Sequence, residues 1–206
     1  MNHLPDTLHV AILAFDDVEA LDLAGPYEVF TTASRMALRA DPSAPPPFKT
    51  SCVARTREAV RARAGMAIVP SHGFVDAPPT DILIVPGGVV DAVMTHQETL
   101  EWIANTHANT LLTASVCTGA FLLAASGVLT NGPVTTHWED QTDLEQQFPT
   151  LEVQSGKRWV DQGKLITSGG ISAGIDMSLH IVSRLMSEAL ASRTAKQMEF
   201  QWTRNP

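Results

Sequence analysis

The stretch LLTASVCTGAFLLAASGVL, residues 111–129, decides the fold because it changes character at its cysteine. Up to Val116 it is an apolar run, which is typical of a strand that is covered on both faces. After Cys117 it is rich in small residues and leucine as far as Gly127, and a glycine there is a common C-terminal stop for a helix. The stretch therefore predicts a central strand, a turn at Cys117 and a helix.

Strands and helices alternate along the rest of the chain. The predicted strands are LHVAILAF (8–15), FKTSCVA (48–54), DILIV (81–85) and TLLTASV (110–116), with short antiparallel pairs turning at Gly65 and around Gly163. The predicted helices cover about residues 26–38 (with Pro26 in the first turn), 97–107, 118–127 and 139–148, and a last long helix opens near Ala173. This alternation predicts an α/β sandwich with a doubly wound, mainly parallel sheet, and we expect a single domain over residues 1–206.

The composition restricts the class of partner. The 206 residues carry a formal net charge of −8, and lysine and arginine form no dense run. We therefore expect a small-molecule partner and no nucleic acid. No apolar run approaches the roughly 18 residues that a membrane helix needs, and the N-terminus lacks the charged and apolar regions of a signal peptide. A membrane partner is not expected either.

The two cysteines, Cys52 and Cys117, are too few for a disulfide framework, so we expect a reducing, cytoplasmic setting. Cys52 lies within a predicted strand, where a packing role is expected. The sequence shows no His, Cys and Asp cluster with metal-ligand spacing, and GGISAGID (169–176) lacks the spacing of a dinucleotide or phosphate loop. The sequence therefore predicts neither a metal nor a cofactor.

Three segments with chemically useful side chains follow three of the predicted strands. They are DDVEALDLAGP (16–26), VPGG (85–88) and SVCTGA (115–120). Open α/β sheets bind ligands in the crevice beyond the carboxyl ends of their strands. We therefore expect these three segments to meet and to form a site.

Cys117 lies at a predicted strand-to-helix turn, in the position of the nucleophile in a nucleophile elbow, although the sequence is not the serine-hydrolase motif. The positive end of the following helix favours a thiolate, so we expect a lowered thiol pKa. Free N–H groups of the first helical turn can hold a developing negative charge, and those of Gly87 and Gly88 can supply the opposite side. The alternative is that Cys117 is a small, buried apolar residue.

Two side chains are candidates for proton transfer with Cys117. Asp22 lies between Leu21 and Leu23, which favours burial of its carboxyl group. An ionised carboxylate repels a thiolate and raises the thiol pKa, so a working pair needs Asp22 protonated or sharing its proton with the sulfur. Asp22 could instead cap a helix that begins near Leu23. His137 is the other candidate base, and its alternative role is to hold a turn.

Five segments together resemble the ThiJ/PfpI superfamily, and within it they most resemble the isocyanide hydratases. The segments are LDLAGPYEVF (21–30), DILIVPGG (81–88), SVCTGAFLLAASGVL (115–129), TTHW (135–138) and LITSGGISAGIDMSLHIV (165–182). The resemblance implies a flavodoxin-like three-layer α/β/α sandwich with a mainly parallel central sheet.

The resemblance also implies a role for individual residues. Cys117 resembles the nucleophile of the superfamily, and Asp22 resembles the acidic partner that hydrogen-bonds it. Thr118 is similar to the residue that helps to hold this pair. The N–H groups of Gly88 and Thr118 are similar to the anion-binding donors, and Ile171 resembles a residue of the substrate pocket.

Thr118 and Asp22 separate this chain from other branches of the superfamily. Peptidase-like and glyoxalase-like members often carry histidine directly after the cysteine, and they usually carry glutamate in place of Asp22. Both differences favour hydration of an isocyanide to an N-substituted formamide through a Cys117 thioimidate. The reaction implied needs no cofactor or metal, and because members commonly dimerise we expect a homodimer.

Two other functions fit the same segments. They also resemble the N-terminal ligand-sensing domain of AraC-type transcriptional regulators, in which a helix-turn-helix segment follows. The sequence ends at QMEFQWTRNP (197–206) without such a segment, so this alternative is expected for part of a longer product. The second alternative function is a redox or stress sensor in which Cys117 is oxidised to a sulfinate.

Overall fold

A computed structural model describes residues 5–204 of the chain. The strands are β1 (Leu8–Leu13), β2 (Phe48–Ala54), β3 (Val60–Arg61), β4 (Ala67–Ile68), β5 (His72–Gly73), β6 (Ile82–Val85), β7 (Leu112–Val116), β8 (Gly132–Val134), β9 (Leu151–Val153), β10 (Trp159–Asp161) and β11 (Leu165–Ser168). The α-helices are α1 (Ala20–Ala40), α2 (Asp91–Met94), α3 (Gln97–Asn109), α4 (Gly119–Ala125), α5 (Gln141–Gln147), α6 (Ala173–Leu185) and α7 (Glu188–Gln197).

The main sheet has the strand order β10-β11-β7-β6-β1-β2-β5. Its neighbouring strands are parallel except for β10 and β11, which form an antiparallel pair. The strands β1, β2, β6, β7 and β11, numbered in chain order, follow the spatial order 2-1-3-4-5 of flavodoxin-like sheets. The predicted flavodoxin-like, mainly parallel sheet is confirmed.

The core lies on both faces of this sheet. Every residue of β6 and β7 is buried. Strand β6 is a continuous apolar run, as expected for a strand covered on both faces, whereas β7 also buries the small polar residues Thr113 and Ser115. Helices α1, α6 and α7 pack against one another in one layer, and α2, α3 and α4 form the other. The two layers complete the α/β/α sandwich that the resemblance implied.

The first helix differs from its prediction. It begins at Ala20, so Pro26 lies inside α1 instead of in its first turn. The proline has no N–H to donate to the carbonyl group of Asp22, so the regular helical bond between these two positions is missing. The start is hard to see in the sequence because Glu19, which precedes the helix, makes no side-chain capping hydrogen bond. The alternative that Asp22 caps a helix beginning near Leu23 is wrong.

Several short elements were not predicted, whereas the long strands and most of the longer helices agree with their patterns. Strands β5, β8 and β9 have two or three residues each, which is too short for a periodic signal. Helix α7 was also missed, because Leu190 is the one large apolar residue on its buried face. The excursion around Gly65 is confirmed as the antiparallel pair of β3 and β4, and the turn at Gly163 joins β10 to β11.

Close packing of α4 on β6 depends on a glycine. A β-carbon at Gly119 would lie 2.1 Å from the carbonyl oxygen of Val85. The first residue of α4 can therefore approach the last residue of β6 because it has no side chain. This contact holds the Cys117 turn beside the carboxyl end of β6.

We expect Gly119→Ala to lower the free energy of unfolding by at least about 2 kcal/mol, because the added carbon meets a backbone atom that cannot move alone. Urea denaturation measures the change. Gly169→Ala is the control, since its β-carbon would meet its nearest neighbour at 3.5 Å, an ordinary contact. The control should change stability by less than about 1 kcal/mol, and equal losses in both variants would contradict this packing account.

Candidate active site

The three predicted segments meet at the carboxyl ends of β1, β6 and β7. These strands are neighbours in the sheet, with β6 between the other two. The strand order reverses between β1 and β6, which is the switch point where open α/β sheets hold their ligands. The segments after these strands bring Asp22, Gly87, Gly88, Cys117 and Thr118 together.

Cys117 has a left-handed backbone conformation with φ of 55°. Its N–H group donates to the carbonyl oxygens of Ser168 and Gly169 at 3.2 and 3.3 Å. Its own carbonyl oxygen accepts a hydrogen bond from the Thr136 hydroxyl at 2.8 Å. A left-handed cysteine is strained, and these three contacts from the β11 end and the TTHW segment hold it in place. The turn therefore has the geometry of a nucleophile elbow.

Thr118 fastens the loop after β6 to this turn. Its hydroxyl group donates to the Gly88 carbonyl oxygen at 2.8 Å and accepts from the Gly88 N–H at 2.9 Å. Gly88 has a φ of 138°, and a β-carbon there would lie 2.2 Å from the Asp17 carbonyl oxygen. The loop can therefore reach Thr118 because position 88 is glycine.

Asp22 is held by the same loop. Its side chain is 0% exposed, and its Oδ2 atom accepts a hydrogen bond from the Gly87 N–H at 3.1 Å. Its Oδ1 atom has no hydrogen-bond partner among the described residues. The Gly87 carbonyl oxygen accepts from the Glu19 N–H at 2.8 Å, which ties the start of α1 to this loop. The carboxyl group is therefore fixed in position but poorly solvated.

Burial controls the protonation of this pair. The pKa of Asp22 is raised from 3.8 to about 7, mainly by desolvation and in part by the charge of Glu19, and the hydrogen bonds from Gly87 and Cys117 limit the rise. Burial, followed by the charge of Asp22, raises the pKa of the Cys117 thiol to about 12, and hydrogen bonds from Thr118 do not offset this. At neutral pH the cysteine is therefore a thiol beside a carboxyl group that is close to its midpoint.

One expectation for this turn needs correction, and a second stays a prediction. The expected lowering of the Cys117 pKa is wrong, because desolvation and the Asp22 charge outweigh the dipole of the short helix α4. The N–H groups of Gly87 and Gly88 are also engaged, the first with Asp22 and the second with the Thr118 hydroxyl. They position the carboxyl group and the turn here, whereas their predicted role was to hold a developing anion.

A cavity of about 350 Å³ opens at the turn. Cys117, Thr118, Gly88, His137 and Ile171 line it, so the structure brings these predicted site residues to one space. Asp22 does not line the cavity itself. Its link to the cavity is its hydrogen bond with the Cys117 thiol. The cavity is large enough for a small organic molecule beside the thiol.

His137 both lines the cavity and holds a turn. Its Nδ1 atom lies 3.1 Å from Asp140 Oδ2, and its carbonyl oxygen accepts a hydrogen bond from the Asp140 N–H at 3.0 Å. A β-carbon at Gly170 would lie 2.1 Å from the imidazole ring, so that glycine makes room for it. Trp138 beside it is 74% exposed and does not pack in the core. The turn-holding role is therefore seen directly.

Several residues of the site were missed by sequence reasoning. Thr136, Ser168 and Gly169 hold the strained backbone of Cys117, yet a threonine or serine in a strand end gives no signal of such a contact. Asp140 orients His137 and lies three residues later, a spacing that could have suggested the pairing. Asp143 lines the cavity one helical turn further on.

The described residues contain neither a metal-binding cluster nor a membrane-spanning helix. No group of three or more His, Cys, Asp or Glu side chains in residues 5–204 could hold a metal ion. In the same range, no helix is long and apolar enough to cross a membrane.

A family profile and several known proteins match this chain. The DJ-1/PfpI family profile matches residues 8–184. An isonitrile (isocyanide) hydratase of Pseudomonas putida is 33% identical over 195 residues, which are 94% of this chain and 78% of that protein. The crystal structure of a ThiJ/PfpI family protein from Pseudomonas syringae has a TM-score of 0.82 at 28% identity, covering 96% of this chain and 76% of that one. These matches confirm the superfamily resemblance.

A regulator is also similar to this chain. The HTH-type transcriptional regulator GbdR of Pseudomonas aeruginosa is 26% identical over 197 residues. The match covers 95% of this chain and 52% of the regulator, so the chain spans about half the length of that protein.

We expect Asp22→Asn to stabilise the fold above neutral pH. Because the folded-state pKa is raised, the contribution of the neutral carboxyl group is fully present below pH 3.8 and is lost as the pH rises through about 7. The asparagine variant avoids this loss and should gain as much as about 4 kcal/mol of unfolding free energy near pH 8. Urea denaturation across the pH range measures the difference, which should vanish in acid.

Asp161→Asn is the control for this stability effect. Burial alone raises the pKa of Asp161, but hydrogen bonds from His180, Gly163 and Arg184 outweigh it and lower the pKa below its usual value. Its ionised form is therefore favoured in the folded state, and Asp161→Asn should destabilise the protein near neutral pH. A stability gain of similar size in both variants would show that the fold does not raise the pKa of Asp22.

Proposed function

The chain belongs to the DJ-1/PfpI family, and we propose that it is a cysteine-dependent isocyanide hydratase, which adds water to an isocyanide and releases an N-substituted formamide. The observation that carries this proposal is the buried Asp22 carboxyl group beside the Cys117 thiol at the edge of a cavity. The similarity to an isonitrile hydratase over most of the chain supports the choice of substrate.

The first step forms a carbon–sulfur bond. Above a pH of about 7, the pair holds one proton, with Asp22 as a carboxylate and Cys117 as a thiol. Asp22 takes the thiol proton as Cys117 Sγ attacks the terminal carbon of the isocyanide, and it then delivers the proton to that carbon. The product is a thioimidate, whose carbon carries one hydrogen, the sulfur and a double bond to nitrogen.

The second step hydrolyses the thioimidate. Asp22, ionised again, takes a proton from water as the water oxygen attacks the thioimidate carbon, and this proton passes to the nitrogen. The hydroxyl group of the resulting adduct then becomes the formamide carbonyl as the carbon–sulfur bond breaks. The hydroxyl proton ends on sulfur, so one water is consumed and the thiol is restored. Splitting the hydration in this way replaces one difficult step with two easier ones.

Formamide production from simple isocyanides tests the function. Cys117→Ala should abolish turnover, and Asp22→Asn should lower kcat at least about 100-fold because the proton acceptor is lost. Cys52→Ala is the matched control, since Cys52 is buried in β2 away from the cavity and its removal should leave the rate unchanged. No formamide from the wild type across several isocyanides would overturn the function, and activity surviving in Cys117→Ala would overturn the mechanism.

The pH dependence tests the role of Asp22. Protonated Asp22 cannot accept the thiol proton, so kcat/KM should rise with pH through about 7, the pKa of this carboxyl group. The Asp22→Asn variant should lose this dependence together with most of its activity. A wild-type rate that instead falls through the same pH range would show that Asp22 acts from its protonated form.

A ligand-sensing domain is the second candidate, and the match to the regulator GbdR favours it. A sensor would bind a small molecule at the same cavity without chemistry at the sulfur. Ligand binding of equal affinity in wild type and Cys117→Ala, with no turnover in either, would support this candidate. A redox sensor is less well supported, because the raised pKa of Cys117 suppresses the thiolate that oxidants attack.

A further inference from the structure

The cavity at Cys117 is lined by far more negative than positive side chains. Arg63 is the arginine in its lining, and His137 carries a charge when it is protonated. The lining carboxylates are Glu19, Asp91, Glu139, Asp140 and Asp143. The five carboxylates of the lining therefore outnumber Arg63 and His137, the two lining side chains that can carry a positive charge.

Ion pairs in the structure offset few of these carboxylates. Glu19 lies 3.8 Å from Arg63, a loose pair at a largely exposed arginine. Asp140 is held by His137, which also lies 3.9 Å from Glu139. Asp91 and Asp143 lie in α2 and α5, and among the described residues neither forms an ion pair.

The same cavity also has an apolar part. Val89, Val90, Met94, Phe121 and Ile171 contribute to its lining. Ile171 is 38% exposed and Val89 is 43% exposed, so both remain available for contact with a ligand. A ligand that fits both features combines hydrocarbon with a positive charge.

We propose that the cavity at Cys117 selects organic cations and that, if the chain is the hydratase proposed above, its substrates are isocyanides whose substituent carries an ammonium group. A cleft lined by one sign of charge focuses the field and raises the local concentration of opposite charges. A cationic substituent gains attraction from the carboxylates while its alkyl part lies against the apolar lining. A carboxylate-bearing isocyanide is repelled.

The negative lining also acts on the reacting groups. Glu19 raises the pKa of Asp22, and Asp140 raises the pKa of the Cys117 thiol. A bound cation opposes both effects: it lowers the pKa of Asp22, which favours the carboxylate that accepts the thiol proton, and it lowers the pKa of the Cys117 thiol. Substrate charge and cysteine activation are thereby linked.

Charged thiol reagents test the proposal without requiring any hydration. The Cys52→Ala protein, with Cys117 as its remaining cysteine, is treated with methanethiosulfonates that carry a trimethylammonium group, no charge or a sulfonate. The ratio of cationic to anionic rate should exceed that of a free thiol in solution by at least about tenfold, and it should fall as salt is added. A ratio equal to that of the free thiol would overturn the proposal, as would failure of all three reagents to reach Cys117.

A pair of variants on α5 separates the cavity from the overall charge. Asp143 lines the cavity, whereas Glu145 on the same helix is exposed and does not. Asp143→Asn should lower the reagent ratio by about threefold or more, and Glu145→Gln, with the same change in net charge, should leave it unaltered. Equal effects of the two variants would assign the preference to the net charge of the protein and would overturn the proposal.

Substrate selection is measured with two isocyanides of matched shape, one with a trimethylammonium group and one with a tert-butyl group in its place. The cationic compound should have a kcat/KM at least about tenfold higher in low salt. Equal values would overturn the cation preference and leave the hydratase standing. No formamide from either compound, together with the expected reagent ratio, would overturn the hydratase and leave the cation preference standing.

Discussion

The Asp22 carboxyl group is fully buried beside the Cys117 thiol and accepts one backbone hydrogen bond, from Gly87. One such bond does not replace the water that a carboxylate loses, so its ionised form is costly and the pair keeps a proton near neutral pH. The thiol is also kept neutral, because burial disfavours its ionised form and the charge of Asp22 disfavours it further. In the proposed mechanism, the chemistry therefore begins with a proton transfer inside this pair, which a substrate triggers.

The flavodoxin-like scaffold fixes the pair by contacts from the ends of three strands, β6, β8 and β11. The left-handed backbone of Cys117 is held by Ser168, Gly169 and Thr136, while Gly87 brings the loop after β6 against Asp22. Strain and buried charge both lower stability, and the fully buried strands β6 and β7 offset them through the core. The site is accordingly a place where stability is given up for function, which is why removing the Asp22 charge is expected to stabilise the fold.

The sequence was sufficient for the architecture and for the meeting of the three segments at one edge of the sheet, because both follow from patterns that repeat. Apolar strands alternating with helices predict the sheet, and the chemical residues after β1, β6 and β7 share its carboxyl edge. The pKa of Cys117 was not predictable, since helix position suggests a thiolate while desolvation, a property of the packed fold, decides otherwise. Likewise, the partners of the Gly87 and Gly88 N–H groups depend on distances between loops far apart in sequence.

Proton binding by Asp22 controls the proposed chemistry, and carbon NMR of the Asp22 carboxyl group measures it directly as the pH is varied. We predict a midpoint at about 7, with no ultraviolet absorbance of a Cys117 thiolate until the solution is much more alkaline. In Cys117→Ala the midpoint should move higher, because the hydrogen bond from the thiol lowers the pKa of Asp22. Titration of Asp22 near its ordinary value of 3.8 would contradict the account.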